Sequence, residues 1–266
     1  MRSEDFGDVI LDKDDVGVLT VTLNRPDKLN ALTLPMRRSL KHLPDAISND
    51  DSVKAVVLTG AGRGFCSGAD LSVGAENPYP TPQDRAGLEE LRYSWVAAFR
   101  GVSKPLIAAV NGPAVGGGLS IALACDVRFA SESASFGAVW IRRGLVPDMG
   151  ASKLLVELLG PTKALRLIWS GEPVSASAAL GMGLVDELVS ASDLMPRATA
   201  YARMLASGPS VAVELSKRLV RFAVDHSLED ATAMEELYQG LTSRTQDVLE
   251  GRVAFQERRR PQFTGH

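Results

Sequence analysis

The sequence predicts an α/β core followed by a helical C-terminal section. Three observations predict it. Short runs of β-branched and aliphatic residues recur between residues 16 and 130, with helix-spaced segments between some of them. Two glycine-rich segments each follow such a run, and beyond Ala191 the chain reads as helices to its end.

Taken in order, Val16 to Leu23 (VGVLTVTL) fits a strand and stops at the turn sequence Asn24-Arg25-Pro26-Asp27. Leu32 to Ile47 carries apolar residues at helical spacing, with Pro35 and Pro44 blurring its limits. Val53 to Thr59 (VKAVVLT) reads as a strand buried on both faces, broken by Gly60-Ala61-Gly62-Arg63-Gly64. Ser72 to Asp84 holds three prolines and no periodicity, so it reads as a loop. A helix is expected from Arg85 to Arg100, then strands at Pro105–Val110 and Asp126–Ala130. After Gly150 the pattern is helical; Leu154, Leu155, Leu158 and Leu159 share a face, and Gly160-Pro161 supplies a stop and restart.

Composition narrows the function classes. The 266 residues are 45% hydrophobic and 23% charged, values of a soluble globular chain of one or two domains. No run approaches the ~18 apolar residues of a membrane-spanning helix. The start, MRSEDFGD, lacks the apolar centre of a secretory signal. Cys66 and Cys125 form no CxxC pair and no Cys/His cluster, so neither a disulfide framework nor zinc is expected. The plain reading is cytoplasmic. A net charge of −3 offers no global basic surface to nucleic acid. The acidic start (Glu4 to Asp15) and the basic tail (Arg252, Arg258, Arg259, Arg260) are solvated faces, or the tail meets a phosphate or a neighbouring subunit.

The glycine-rich segments Gly60–Leu71 and Asn111–Cys125 are not nucleotide loops. A dinucleotide fingerprint would need glycine at Phe65, and no GxxxxGK[S/T] occurs. Glycine also permits close approach of a backbone or a ligand. Gly116, Gly117 and Gly118 run into a helical stretch whose first N–H groups suit an anion; tight helix-on-sheet packing is the alternative. Gly118-Leu119-Ser120-Ile121-Ala122 approximates the GxSxG elbow of serine hydrolases, with Ala122 in place of the second glycine and only His226 and His266 downstream as bases. His42 and His226 are expected on helix surfaces.

Five segments together resemble the crotonase superfamily, the enoyl-CoA hydratase/isomerase family. They are LNRPDKLNAL, AVVLTGAGRGFCSGADL, PLIAAVNGPAVGGGLSIALACDVRFAS, ASFGAVWIRRGLVPDMGASKLL and FQERRRPQF, in register over nearly the whole chain. The resemblance implies a crotonase-like (ClpP/crotonase) fold of repeated ββα units. Residues 1–190 would form the core with the coenzyme A site, and 191–266 a helical trimerisation region. It implies an acyl-CoA thioester as partner, a homo-trimer or hexamer, no nucleic acid or membrane partner, and no cofactor beyond the coenzyme A moiety of the substrate. Two backbone amides would hold the thioester oxygen, and they map to Ala69 and Gly117. Lys28, Leu29 and Ala31 would line the coenzyme A entrance. Ser67, Asp70 and Leu71 would surround its adenine, while Gly116 lies beside the oxyanion site and Phe255 and Arg258 match tail positions that touch coenzyme A.

The chain departs from the hydratases of that family. Their two glutamates correspond to Ser120 and Trp140, neither of which takes a proton at neutral pH. Asp148, eight residues beyond Trp140, matches an aspartate that moves protons in dienoyl-CoA and ring-opened phenylacetyl-CoA isomerases. The same Trp/Asp pair occurs in an aryl-CoA dehalogenase, which also needs a histidine where Tyr93 stands here. Capping of the following helix is the alternative role for Asp148. Trp140 is expected in the pocket wall, and Ser120 to leave room beside the acyl chain. The expectation is double-bond isomerisation with Asp148 as acid and base; weak hydration, non-catalytic binding of acyl-CoA, dehalogenation and ester hydrolysis are the alternatives.

Overall fold

The structure is a computed structural model that describes residues 6–70 and 94–266. Its centre is a six-stranded sheet of β1 (Val9–Lys13), β2 (Val18–Leu23), β3 (Ala55–Gly60), β4 (Leu106–Val110), β6 (Val127–Ser131) and β9 (Glu187–Val189), in that spatial order. Only the β1–β2 pair is antiparallel. Successive residues of β3 serve opposite sides. Val56 and Leu58 join a core with Met36, Leu40, Leu43 and Ile47 of α1 (Leu34–Ser48), whereas Ala55 and Val57 join a second core with Leu194, Ala198 and Ala202. Those last three belong to a helix of the C-terminal region, Leu194–Ala206. Helices thus cover both faces, which explains why the strand sequence is apolar without interruption.

The expected strands and the α/β architecture are present. Pro35 and Pro44 do not divide α1: Pro35 sits in the first turn, where no N–H is required, and Thr33 caps that turn by accepting from the Met36 N–H at 3.3 Å. The acidic start is more than a solvated face. Val9–Lys13 pairs with β2 as an edge strand on which Ile10, Asp12 and Lys13 are exposed, and charged residues on an edge resist further strand addition. The end of the expected Arg85–Arg100 helix is described as α2 (Ser94–Gly101). Leu71, the Ser72–Asp84 segment and Tyr93 lie outside the described residues.

A second, three-stranded sheet carries the site. It contains β5 (Pro113–Val115), β7 (Ser135–Gly137) and β8 (Val174–Ser175). Two loops are strapped beside β5. Cys66 donates to Pro113 and accepts from Val115, and residues 29–32 pair in turn with 67–70 through Ser67 N to Leu29 O (2.9 Å), Leu32 N to Gly68 O (2.7 Å) and Asp70 N to Leu32 O (3.1 Å). Two asparagines hold the intervening glycine turn. Asn30, fully buried, donates to the Ala61 and Gly64 carbonyls, and Asn111 donates to those of Gly60, Gly62 and Gly64.

Helix α3 (Gly117–Ala124) follows β5 and is buried along its whole length. The remaining helices are α4 (Ala151–Ser170), α5 (Ala176–Met182), α6 (Leu194–Ala206), α7 (Ser210–Ala223), α8 (Leu228–Thr242) and α9 (Gln246–Glu257). Gly160 interrupts α4 with φ 73° and ψ 163°, at the stop expected from Gly160-Pro161. Asp126 fastens α7 to the sheet by accepting from Lys217 (2.7 Å), Arg221 (2.6 Å) and the Leu106 N–H (2.7 Å). Burial pushes the Lys217 ammonium down to about 8.

Close approach explains Gly118. A Cβ there would lie 2.0 Å from the Cys66 carbonyl oxygen, which belongs to the strap itself. Gly118→Ala is expected to cost about 1–3 kcal/mol and to lower Tm by roughly 2–4 °C per kcal/mol in a scanning melt. Gly181→Ala, on α5 with open space around it, is expected to hold or raise Tm.

Candidate active site

The strap and the start of α3 meet at a cavity of about 150 Å³. Ala69 ends the strapped loop and Gly117 opens the helix; both line the cavity. Among the described residues, neither of their N–H groups donates to a backbone carbonyl. The Gly117 N–H belongs to the first turn of α3, whose donors have no partner within the helix and lie at the positive end of its dipole. Gly116 turns the chain into α3 with φ 54° and ψ −120°, a positive-φ conformation that favours glycine. Its own N–H is anchored on Gly137 at 2.9 Å.

Asp148 is the only carboxylate among the described lining residues. It is half-buried. Burial raises its pKa above the ordinary carboxylate range, opposed by the Trp140 hydrogen bond and the Arg37 charge. The Trp140 indole N–H donates to Asp148 Oδ1 at 2.9 Å. Trp140 is buried and forms part of the wall. The capping alternative for Asp148 does not hold: Gly150 occupies the N-cap of α4 and no side chain caps it, so the carboxylate is committed to Trp140.

Ser120 is not among the residues that line the cavity. It is fully buried, and its hydroxyl donates to the carbonyls of Asp148 (3.2 Å) and Gly116 (3.4 Å). That corrects two expectations. The residue is not at the cavity wall, the place expected for it beside an acyl chain; it ties the Asp148 segment to α3. Nor is it a hydrolase nucleophile, because its hydroxyl is turned to the main chain and His42, His226 and His266 are all exposed. His42 lies on α1, while His226 lies just past the end of α7, stacked on Phe222.

Leu29, Ala31, Ser67 and Asp70 lie along the 29–32/67–70 ladder beside Ala69, and Lys28 immediately precedes it. Ser67 is among the lining residues. Leu29, with φ 48°, ends a short 3-10 turn, and Arg25 bridges the ladder by donating to the Ala31 carbonyl (2.6 Å) and Asp70 (2.8 Å). Phe255 and Arg258 are not brought to this cavity; both lie at the end of α9, and Phe255 is 85% exposed. Sequence reasoning missed Arg37 and Met149. Arg37 lines the cavity from α1, and an arginine in an amphipathic helix carries no signal that separates it from a surface cation. Met149, the residue after Asp148, was within reach of motif reasoning, but its backbone at φ 52° was not.

A family model described as enoyl-CoA hydratase/isomerase matches residues 13–266. The chain is 36% identical to 1,2-epoxyphenylacetyl-CoA isomerase of Escherichia coli, over 96% of this chain and 98% of that protein. It is equally identical to the short-chain-enoyl-CoA hydratase of Clostridium acetobutylicum, over 96% and 97% of the two chains. Among solved structures, enoyl-CoA hydratase from Bacillus anthracis superposes with a TM-score of 0.91 at 33% identity, covering 97% of this chain and all of that one. With the fold and the full-length likeness in agreement, the chain belongs to the enoyl-CoA hydratase/isomerase family of the crotonase superfamily, enzymes that act on acyl-CoA thioesters.

Proposed function

We propose that this enzyme shifts a carbon–carbon double bond along an acyl-CoA, with Asp148 as its single acid and base. The observation that carries the reading is the one carboxylate among the described lining residues, its proton affinity raised by burial, in the cavity that Ala69 and Gly117 also line. For a 3-enoyl thioester, the Asp148 carboxylate takes a proton from carbon 2. The C–H electron pair enters the conjugated system and negative charge collects on the thioester oxygen between the two N–H groups. Return of the proton to carbon 4 leaves the double bond between carbons 2 and 3. Each aimed N–H would contribute about 3–4 kcal/mol to lowering the barrier. The reaction draws on the substrate and this chain alone.

Hydration would need a second group to handle water's proton. The places of the hydratase glutamates hold a buried serine bonded to main chain and an indole whose N–H serves Asp148. That one relative of 36% identity is named an isomerase and another a hydratase supports a scaffold on which such substitutions select the reaction. We also read the exposed apolar residues Val220, Val224, Leu228, Leu237 and Leu241 of the C-terminal region as the surface on which a trimer or hexamer assembles. Phe255 and Arg258 would then reach coenzyme A across a subunit boundary. Light scattering is expected to give three or six times the 28.3 kDa chain mass; a monomer would remove this part.

Replacement of Asp148 by Asn is expected to slow isomerisation by roughly 10²–10⁴-fold, with acyl-CoA affinity retained. Products are followed by mass spectrometry. Undiminished turnover, or a 3-hydroxyacyl product from a 2-enoyl-CoA, would refute the assignment. Stability should move the other way. A folded-state pKa above the unfolded value means stability is lost as pH rises through that interval, so Asp148→Asn is expected to melt no lower than the parent at neutral pH.

The pH profile has a defined sign. A base must be ionised, so kcat/KM should fall as pH drops through the raised Asp148 pKa. Trp140→Phe removes a hydrogen bond that favours the carboxylate, and the inflection is expected to move to higher pH.

A further inference from the structure

Met149 is shared by two cavities. One is the reaction cavity of about 150 Å³; the other, of about 370 Å³, lies between α2 and α4. The second is lined by Val96, Ala97 and Leu154, and its wall also carries the ion pairs Arg100–Glu157 and Lys153–Asp225 (2.7 Å). Met149 is buried, and its sulfur lies over the oxyanion residue, 2.9 Å from where a Cβ on Gly117 would stand. Its position is held by a left-handed backbone (φ 52°) between Asp148, fixed by Trp140, and Gly150, also left-handed at φ 78°.

The volumes bear on what fits. A cavity of about 150 Å³ holds a benzene-sized group, or about six carbons. A longer acyl group fills the reaction cavity and then meets the Met149 side chain, behind which the larger space opens. Methionine is unbranched and adopts many shapes, so it can swing where leucine or phenylalanine would jam. We propose that Met149 is an acyl-length gate: the two cavities are successive parts of one acyl site, and groups longer than about six carbons are admitted only when Met149 moves. The inference rests on the acyl-CoA reading above and deepens it by naming the residue that sets chain length. The ion pairs in the wall give the second cavity a polar boundary, which limits how far an alkyl tail runs.

The test measures binding rather than turnover, so that it is independent of the isomerisation step. Calorimetry with butanoyl-, hexanoyl-, decanoyl- and dodecanoyl-CoA is run on Asp148→Asn and on the same protein carrying Met149→Ala or Ala97→Trp. Met149→Ala is expected to raise the decanoyl-to-butanoyl affinity ratio about tenfold, and Ala97→Trp to lower it about tenfold, each a fraction of what the added methylenes would contribute on burial. Ala97→Trp adds bulk to the second cavity's lining on α2, so the proposal stays testable if Met149→Ala disturbs the strained turn. An affinity ratio unchanged by either substitution overturns the gate while leaving acyl-CoA binding in place. Failure of every acyl-CoA to bind overturns the acyl-CoA reading, and the gate with it.

Discussion

Two backbone N–H groups, of Ala69 and Gly117, that have no carbonyl partner among the described residues and belong to residues lining one cavity govern this structure. Such donors are costly inside a protein, and most chains bury them only when paired. Here several of the neighbouring backbone groups are paired with one another. Residues on both sides of Ala69 bond to Leu29 and Leu32, the Gly116 N–H is spent on Gly137, and Ser120 closes the first turn of α3 onto Gly116. The glycines follow from the same demand. Without Gly118 the Cys66 carbonyl could not pass so near the helix, and without Gly116 the chain could not turn into it.

The environment of Asp148 is a balance between opposed effects. Burial favours its neutral form, while the Trp140 N–H and the Arg37 charge favour the carboxylate; burial wins. A group so placed gives and takes a proton more readily than a surface aspartate, whose proton is lost well below neutral pH. Ser120 extends the arrangement, because its bond to the Asp148 carbonyl ties the acid to the helix that carries one of the N–H donors. Asp148 and the start of α3 are therefore positioned by one connected set of hydrogen bonds.

Much of this was legible in the sequence. The unbroken apolar run of β3 announced a strand covered on both faces, and the two glycine segments announced close backbone approach. What escaped has physical reasons. β5, β7, β8 and β9 are two or three residues long, too short to show a period, and exist through their pairing partners. β1 is an edge whose outward side chains imitate a loop. Arg37, Ser120 and Met149 take their meaning from packing: a helix arginine turned to a cavity, a serine turned to main chain, a methionine held in a left-handed turn. Spacing along a chain does not encode these orientations.

The account stands on polarisation of a thioester carbonyl by the Ala69 and Gly117 amides. Difference infrared spectroscopy of a ¹³C-carbonyl acyl-CoA bound to the Asp148→Asn protein reads that polarisation without turnover. The account requires the carbonyl stretch to move to lower frequency than in water. A bound thioester whose stretch stays at its solution value, or rises, would contradict it.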